Sequence, residues 1–389
     1  MPLTLPGVRH NWKSEFEFTN GTVFLNHASF GPVTRRGRLA VESLMERWGR
    51  LSPGRDVDEE TFSLLASAKD RFARLIGAKS ARVAFAPNTT YGLNAVLWGL
   101  KLRKGERILL PEVEFPALVY AIQNIARKLE LEIQPLPCPK GYMEIDTLRK
   151  TLAKKTAVLA MSWVQYFNGY RYDLEEISSL CHANGCLVLI DGMQGVGAVP
   201  LDVEHTGIDA LACGAQKWLF GQPGAGFYYI APNPIRDIEP LEAGWLGVDW
   251  GYKFSNLRDW NRPVFEDGRC WEIGTYPFYS IRFADAGLAM LEECGNLGVW
   301  DNIQTLLDRL TQRLAGSKYQ AAPVGNEQNR SGIMPIIGPR TPELHRYLCD
   351  RSIHTSLREG SIRVSPHFCN TNDDVDRLVE VIRQFEATA

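Results

Sequence analysis

An aspartate and a lysine stand 26 positions apart, each at the end of a short apolar run. Asp191, in Asp191-Gly192-Met193-Gln194, follows residues 186–190, and Lys217, in Gly214-Ala215-Gln216-Lys217-Trp218, follows residues 210–213. Such runs read as buried strands. In open α/β sheets ligands sit beyond the carboxyl ends of the strands, so side chains placed there face a pocket rather than a core. An amine forms a Schiff base with an aldehyde, and a carboxylate keeps a pyridine nitrogen protonated so that the ring accepts carbanion electrons. The pair therefore suits an aldehyde cofactor. The plainer alternative is a buried ion pair, which is costly to desolvate and usually needs a reason. Gly221-Gln222-Pro223-Gly224-Ala225-Gly226 follows the lysine, and its glycines permit tight turns and close approach of backbone to a ligand.

Asn88-Thr89-Thr90 lies between a strand-like run and a helical one. Free N–H groups and the helix dipole at such a junction favour a phosphate. The same residues also make an ordinary helix N-cap, and the two roles are compatible.

The elements that must position these groups alternate. Strand-like runs at 83–86, 107–110, 131–136, 157–164, 186–190, 210–213 and 226–230 are interleaved with helical periodicity at 90–100, 117–129, 148–153 and 174–184. Two helices, at 35–50 and 62–76, precede them, separated by a loop at 52–54. This alternation predicts an α/β fold with a mostly parallel sheet and helices on both faces. Residues 232–263, rich in Gly, Pro and Trp, form a long connection expected near the site. Helices at 280–293, 300–314, 342–350 and 373–385 with strands at 333–337 and 361–365 suggest a smaller α+β unit. The expected division is an arm at 1–21, a large domain at 22–263 and a small C-terminal domain at 264–389.

Bulk properties exclude several classes. A chain of 389 residues exceeds one small core. A net charge of −2 gives no electrostatic reason to expect nucleic acid or an anionic membrane surface. No stretch approaches the roughly 18 apolar residues of a membrane helix, and the polar N-terminus does not read as a signal peptide. Eight scattered cysteines without CxxC pairs read as reduced thiols of a cytoplasmic protein and not as a metal site. No Gly-x-Gly-x-x-Gly follows an early strand with an acid about 20 residues on, which argues against a dinucleotide enzyme.

Asp-Gly-x-Gln followed by this lysine resembles the class V aminotransferase superfamily of pyridoxal 5'-phosphate enzymes, which includes cysteine desulfurases, selenocysteine lyases, kynureninases and isopenicillin N epimerase. Further motifs extend the resemblance over nearly the whole chain. These are Phe24-Leu25-Asn26-His27-Ala28-Ser29-Phe30-Gly31, closest to epimerase-like members; Trp271-Glu272-Ile273-Gly274-Thr275; and Ile362-Arg363-Val364-Ser365-Pro366-His367-Phe368 with Asn370-Thr371. The resemblance implies a fold-type I enzyme with Lys217 as Schiff-base amine and proton carrier. It implies Asp191 at the pyridinium nitrogen, Gln194 at the phenolic oxygen, Thr89 and Thr90 at the phosphate with Gln216 beside the lysine, and Phe115 stacked on the ring. Arg363 would grip the substrate carboxylate. His27 is a candidate substrate contact, though a structural histidine reads as well. Thr275 would reach the phosphate of a neighbouring subunit, making a homodimer with shared sites, and Trp245 resembles a loop residue near the partner's site.

The chain also departs from the family. The stretch before Arg363 is short and lacks the nucleophilic cysteine of desulfurases, Cys349 being too far upstream and Cys369 after the arginine. Gln216 stands where a His often precedes the lysine, Gly214 where a phosphate-binding Ser is frequent, and Tyr166 where an Asn lies near the phenolic oxygen. The expected activity is removal of the α-proton of a small amino acid, as in an aminotransferase or an epimerase. β-Elimination, as in a C–S lyase without a catalytic cysteine, is an alternative, and a catalytically silent binding protein on the same fold is another.

Overall fold

A computed structural model describes residues 12–18, 21–50, 55–232, 234, 238–250 and 258–388. The loop expected at 52–54, most of the N-terminal arm and part of the 232–263 connection lie outside the described residues. After a single 3-10 turn at Trp12–Glu15 come β1 (Val23–Phe24) and two long helices, α1 (Arg35–Arg50) and α2 (Arg55–Leu75).

The large sheet has seven strands: β2 (Val83–Ala86), β3 (Arg107–Pro111), β4 (Glu132–Leu136), β5 (Val158–Ser162), β6 (Leu187–Asp191), β7 (Ala210–Gly214) and β8 (Gly226–Ile230). Their order is β2-β8-β7-β6-β5-β3-β4. The neighbours from β7 to β4 are parallel, and β8 alone runs antiparallel, to both β7 and β2. Between the strands lie α3 (Thr89–Gly99), α4 (Pro116–Leu129), α5 (Ile145–Thr151), α6 (Leu174–His182) and the short α7 (Val203–Thr206).

The strands are apolar on both sides because both faces are covered. Val158 and Ala160 of β5 face a core shared with Leu93, Val96, Ile122 and Ile125 of α3 and α4. Leu159 and Met161 face the other core, with Phe72 of α2, Ile177 of α6 and the C-terminal helices. From β3 the chain steps outward to β4, then returns to β5 and moves the opposite way through β6 and β7. That reversal opens the crevice in which doubly wound sheets bind ligands. β2 runs in the same sense as β7, so its end delivers Asn88 and Thr89 to the same edge as Asp191.

The remainder comprises α8 (Phe278–Cys294), which packs on α1 and α2, α9 (Asn296–Arg313), β9 (Gln320–Ala321), β10 (Met334–Ile337), α10 (Thr341–Cys349), β11 (Ile353–His354), β12 (Ser356–Arg358), β13 (Ser361–Val364) and α11 (Asn372–Ala387). A four-stranded antiparallel sheet has the order β12-β13-β10-β9. β1 pairs in parallel with β11, and Asn26 bridges Ser365, so the opening segment is stitched to this C-terminal sheet. β9, β11 and β12 are absent from the sequence-based expectation because two or three residues are too short to show a period. Among the described residues no helix is long and apolar enough to cross a membrane.

Candidate active site

The ends of β3, β5, β6 and β7 bound one cleft with the N-terminus of α3. Asn88, Thr89, Thr90, Phe115, Ser162, Tyr166, Asp191, Met193, Gln194, Gln216 and Lys217 line it. Ten of these eleven fall in motifs or positions singled out from the sequence; Ser162 does not, nor does its neighbour Glu114.

Asp191 is the last residue of β6 and is buried. Burial raises its carboxyl above the ordinary value, opposed by the Met193 N–H, which donates to Oδ1 at 2.9 Å, and by the Lys217 charge. Lys217 sits three residues beyond β7. Burial pushes its amine down to about 8, with Asp191 opposing and Arg363 assisting. Its Nζ lies 5.7 Å from the centre of the Phe115 ring, and among the described residues it has no hydrogen-bond or ion-pair partner. The two groups thus interact through the cleft without forming the contact ion pair that would have consumed both.

The Lys217 backbone is fixed from beneath. The Gly31 N–H donates to the Gln216 carbonyl at 2.8 Å, and a Cβ on Gly31 would collide with the Lys217 carbonyl. Only glycine allows the opening turn to lie so close.

At the other end of the cleft Asn88 caps α3, its side chain accepting from the Tyr91 N–H at 2.9 Å. The Thr89 hydroxyl is tied into the fold, accepting from the Gly214 N–H at 2.9 Å, while Thr90 is exposed. The two departures from the family pattern prove to be coupled. A Cβ on Gly214 would strike the Gln216 carboxamide oxygen and stand 3.2 Å from the Thr89 hydroxyl. The Gln216 amide occupies the space that a serine at 214 would need.

Gln194 is held at both ends, its Nε2 donating to the Ala28 carbonyl at 3.0 Å and its Oε1 accepting from the Trp218 indole at 2.9 Å. Phe115 is the N-cap of α4, with Pro116 next, and is 42% exposed on the cleft wall rather than in the core. Tyr166 meets it edge-on, ring centres 5.3 Å apart.

Arg363, in β13, is almost wholly buried. Its Nε donates to Ser356 Oγ at 3.1 Å, Nη1 to the Tyr166 carbonyl at 2.6 Å and Nη2 to Ser29 Oγ at 2.7 Å. A guanidinium has five N–H donors, so one N–H on each Nη remains, which is the fork that binds a carboxylate bidentately. Burial and the Arg358 charge lower its proton affinity to about 9, still a cation at neutral pH. Among the described residues no carboxylate pairs with it.

Three candidates lie elsewhere. His27 is fully buried; Nδ1 meets the Ser365 carbonyl at 3.1 Å, Nε2 meets Cys369 Sγ at 3.7 Å, and burial lowers its pKa to about 4. It braces the junction of β1 and the C-terminal sheet and does not line the cleft. Thr275 is exposed beside Phe85, Pro87 and Tyr91, on a different surface from the Lys217 cleft of the same chain. Trp245, 44% exposed, stands near Gly274 on that surface.

The sequence reading missed Glu114. Its buried carboxylate accepts from the Ser162 N–H at 2.9 Å, the Ser162 hydroxyl at 2.5 Å and Gln165 Nε2 at 3.0 Å. Burial pushes it up to about 7, with Asp191 adding to the rise. A glutamate directly before an aromatic N-cap was the available signal.

The fold and the cleft define an α/β enzyme of the fold-type I kind. Residues 50–378 match the family model described as aminotransferase class-V, and the chain belongs to that family. It is 27% identical over 316 residues to an uncharacterized aminotransferase of Bacillus subtilis, covering 81% of this chain and 82% of that protein. It is 28% identical over 376 residues to the isopenicillin N epimerase of Streptomyces clavuligerus, covering 92% and 94%. The apo cysteine desulfurase of Thermococcus onnurineus superposes with a TM-score of 0.86 at 19% identity over all of both chains. The cofactor is pyridoxal 5'-phosphate. The residues present fit it: an unpartnered amine, a buried acid across the cleft, an aromatic wall and a capped helix N-terminus for the phosphate.

Proposed function

We propose that the chain anchors pyridoxal 5'-phosphate on Lys217 and acts at the α-carbon of a small amino acid, with transamination or inversion as the outcome. When bound, the cofactor supplies an aldehyde that joins amines and a ring that draws electrons from the α-carbon. Asp191 holds negative charge toward the pyridine nitrogen. Thr89, Thr90 and Gln216, with the α3 N-terminus, would hold the phosphate, Gln194 would serve the phenolic oxygen, and Phe115 would pack on the ring. The amine of Lys217, lowered to about 8, is partly neutral near physiological pH and takes or returns the proton at the α-carbon.

The observation that carries this reading is the buried Arg363 guanidinium. Among the described residues no carboxylate meets its two remaining N–H groups, and the α-carboxylate of an amino acid completes them. Thiol-based desulfuration is disfavoured. Glu359 and Gly360, both in the left-handed region, close β12 onto β13 in a two-residue turn where a longer cysteine loop would be needed. Cys349 lies on α10 and Cys369 is buried. The exposed Thr275 loop supports a homodimer in which each chain completes its partner's phosphate site. The cysteines are all free thiols, which supports a cytoplasmic setting.

The test is spectroscopic. The purified protein is expected to show visible absorbance from bound cofactor that survives dialysis and is absent from Lys217→Ala. Amino acids that perturb the spectrum are then followed to keto acid, inverted amino acid or sulfide. A visible band that Lys217→Ala retains unchanged refutes the assignment.

A further inference from the structure

The β12–β13 hairpin, whose tip residue Glu359 meets Tyr166 of the cleft, also carries charge. Ser356 pairs with Arg363 and Arg358 pairs with Ser361. Residues directly opposite in an antiparallel pair project from the same face, and alternate residues share a face. Ser356, Arg358, Ser361 and Arg363 therefore all project from one side, while Leu357 and Ile362 turn to the other, where Ile362 joins the core. Arg363 shows which side this is, since its guanidinium reaches the backbone of Tyr166, which lines the cleft, and Ser29 Oγ. Arg358 stands diagonally from Arg363, a spacing of roughly 7 Å between such neighbours.

Arg358 is exposed, and among the described residues its guanidinium makes one hydrogen bond, from Nη1 to the adjacent Leu357 carbonyl at 2.8 Å. Among the described residues no carboxylate lies within ion-pair distance of it. Its neighbour Glu359 does not neutralise it; Glu359 Oε1 instead accepts the Tyr166 hydroxyl at 3.3 Å, which ties the hairpin tip to the Phe115 wall. The charge of Arg358 is felt at the reacting groups: it lowers the proton affinity of both Lys217 and Arg363.

Two arginines on one face, neither with a carboxylate partner among the described residues, one buried behind Tyr166 of the cleft wall and one exposed at the end of the hairpin, match a ligand with two separated anionic groups. We propose that Arg358 recognises a second acidic group on the substrate side chain, so that the enzyme's amino acid is of the dicarboxylic class. This rests on the reading of Lys217 and Arg363 given above. Arg363 takes the α-carboxylate in its buried fork, and the side-chain carboxylate extends toward solvent to meet Arg358. The wider reach of the hairpin-end position favours glutamate and 2-aminoadipate over aspartate.

The experiment titrates the holoenzyme with L-glutamate, L-2-aminoadipate and L-aspartate, and with the uncharged L-glutamine and L-norleucine, reading apparent dissociation constants from the cofactor spectrum. The wild-type protein is expected to bind the dicarboxylic acids about ten-fold more tightly than the uncharged ones, as one charge-assisted hydrogen bond supplies. In Arg358→Ala the ratio falls toward one, and in Arg358→Lys much of it returns. Equal binding of charged and uncharged side chains by the wild type overturns the proposal while leaving the Lys217 reading intact. So does an Arg358→Ala variant that weakens all five ligands alike, which would place Arg358 on the α-carboxylate. No spectral response to any of the five also overturns the proposal, while the Lys217→Ala absorbance test decides the Lys217 reading separately.

Discussion

At the scale of single residues the site is built from groups whose ordinary ionisation is disturbed by burial. Lys217 is lowered, Asp191 and Glu114 are raised, and Arg363 is kept inside with no carboxylate partner among the described residues. Glu114 allows a pH test. The folded chain holds its proton up to about 7, whereas an unfolded carboxylate releases it near 4.5. Between those values the native state binds more protons than the unfolded state, so the contribution of this group to stability falls as pH rises through that window. Glu114→Gln keeps a neutral acceptor for Ser162 and removes the titration. Apparent urea midpoints of wild type and variant are expected to converge below pH 5 and to separate in favour of the variant above pH 7. Parallel midpoints across that range would show that Glu114 does not titrate there.

At the scale of elements the end of β7 and the connection before α8 each carry a constraint. Gly214 and Gln216 compete for one space, so Gly214→Ser is expected to displace the Gln216 amide and weaken cofactor retention about ten-fold, the worth of a charge-assisted hydrogen bond. Adding Gln216→Ala should restore part of it. Cofactor retention through dialysis, read by absorbance, checks both. The connection before α8 is anchored by a buried ion pair. Lys69 of α2 donates to Glu272 at 2.7 Å, with side chains 9% and 3% exposed. The other Glu272 oxygen accepts the Tyr276 hydroxyl at 2.5 Å, and that hydroxyl accepts from the Ile273 N–H at 3.0 Å. This network fixes Gly274 and Thr275 between its members. Lys69→Met leaves a buried carboxylate unpaired and is expected to cost about 3–5 kcal/mol, measured by urea unfolding. Lys69→Met with Glu272→Gln should recover much of that loss.

At the scale of the molecule, the separation of Thr275 from its own cleft gives a test of shared sites. If Thr275 serves the neighbouring subunit, Lys217→Ala and Thr275→Val each damage a different half of every site. Co-refolded mixtures of the two variants contain hybrid dimers in which one of two sites is intact. Random pairing of symmetric subunits restores about a quarter of the wild-type sites. Recovery of cofactor-dependent absorbance on mixing, beyond the sum of the separate variants, is the expected outcome; no recovery would mean that Thr275 acts within its own chain or not at the phosphate.

The alternation of strand and helix, and with it the α/β class, was legible in the sequence because the buried strands 83–86, 187–191 and 226–230 are continuous apolar runs bounded by polar turns. So was the polar set at the strand ends, since Asp191 closes the 187–191 strand, Asn88 to Thr90 follow the 83–86 strand and Lys217 stands three residues beyond the 210–214 strand, and strand direction sends them to one edge. What the chain left open at a distance, only packing decided. The partner of β1 is β11, more than 300 positions away, and no local pattern encodes such a pairing. The same closure buries His27, a residue whose type suggested chemistry, and brings Ser29 and Ser356 to Arg363. The pairing of β3 with β5 likewise sets Glu114 against Ser162, 48 positions on. The physical reason is the range of the forces involved: hydrophobic period and turn chemistry act within a few residues and are written locally, whereas desolvation of a charge depends on every segment that folds over it.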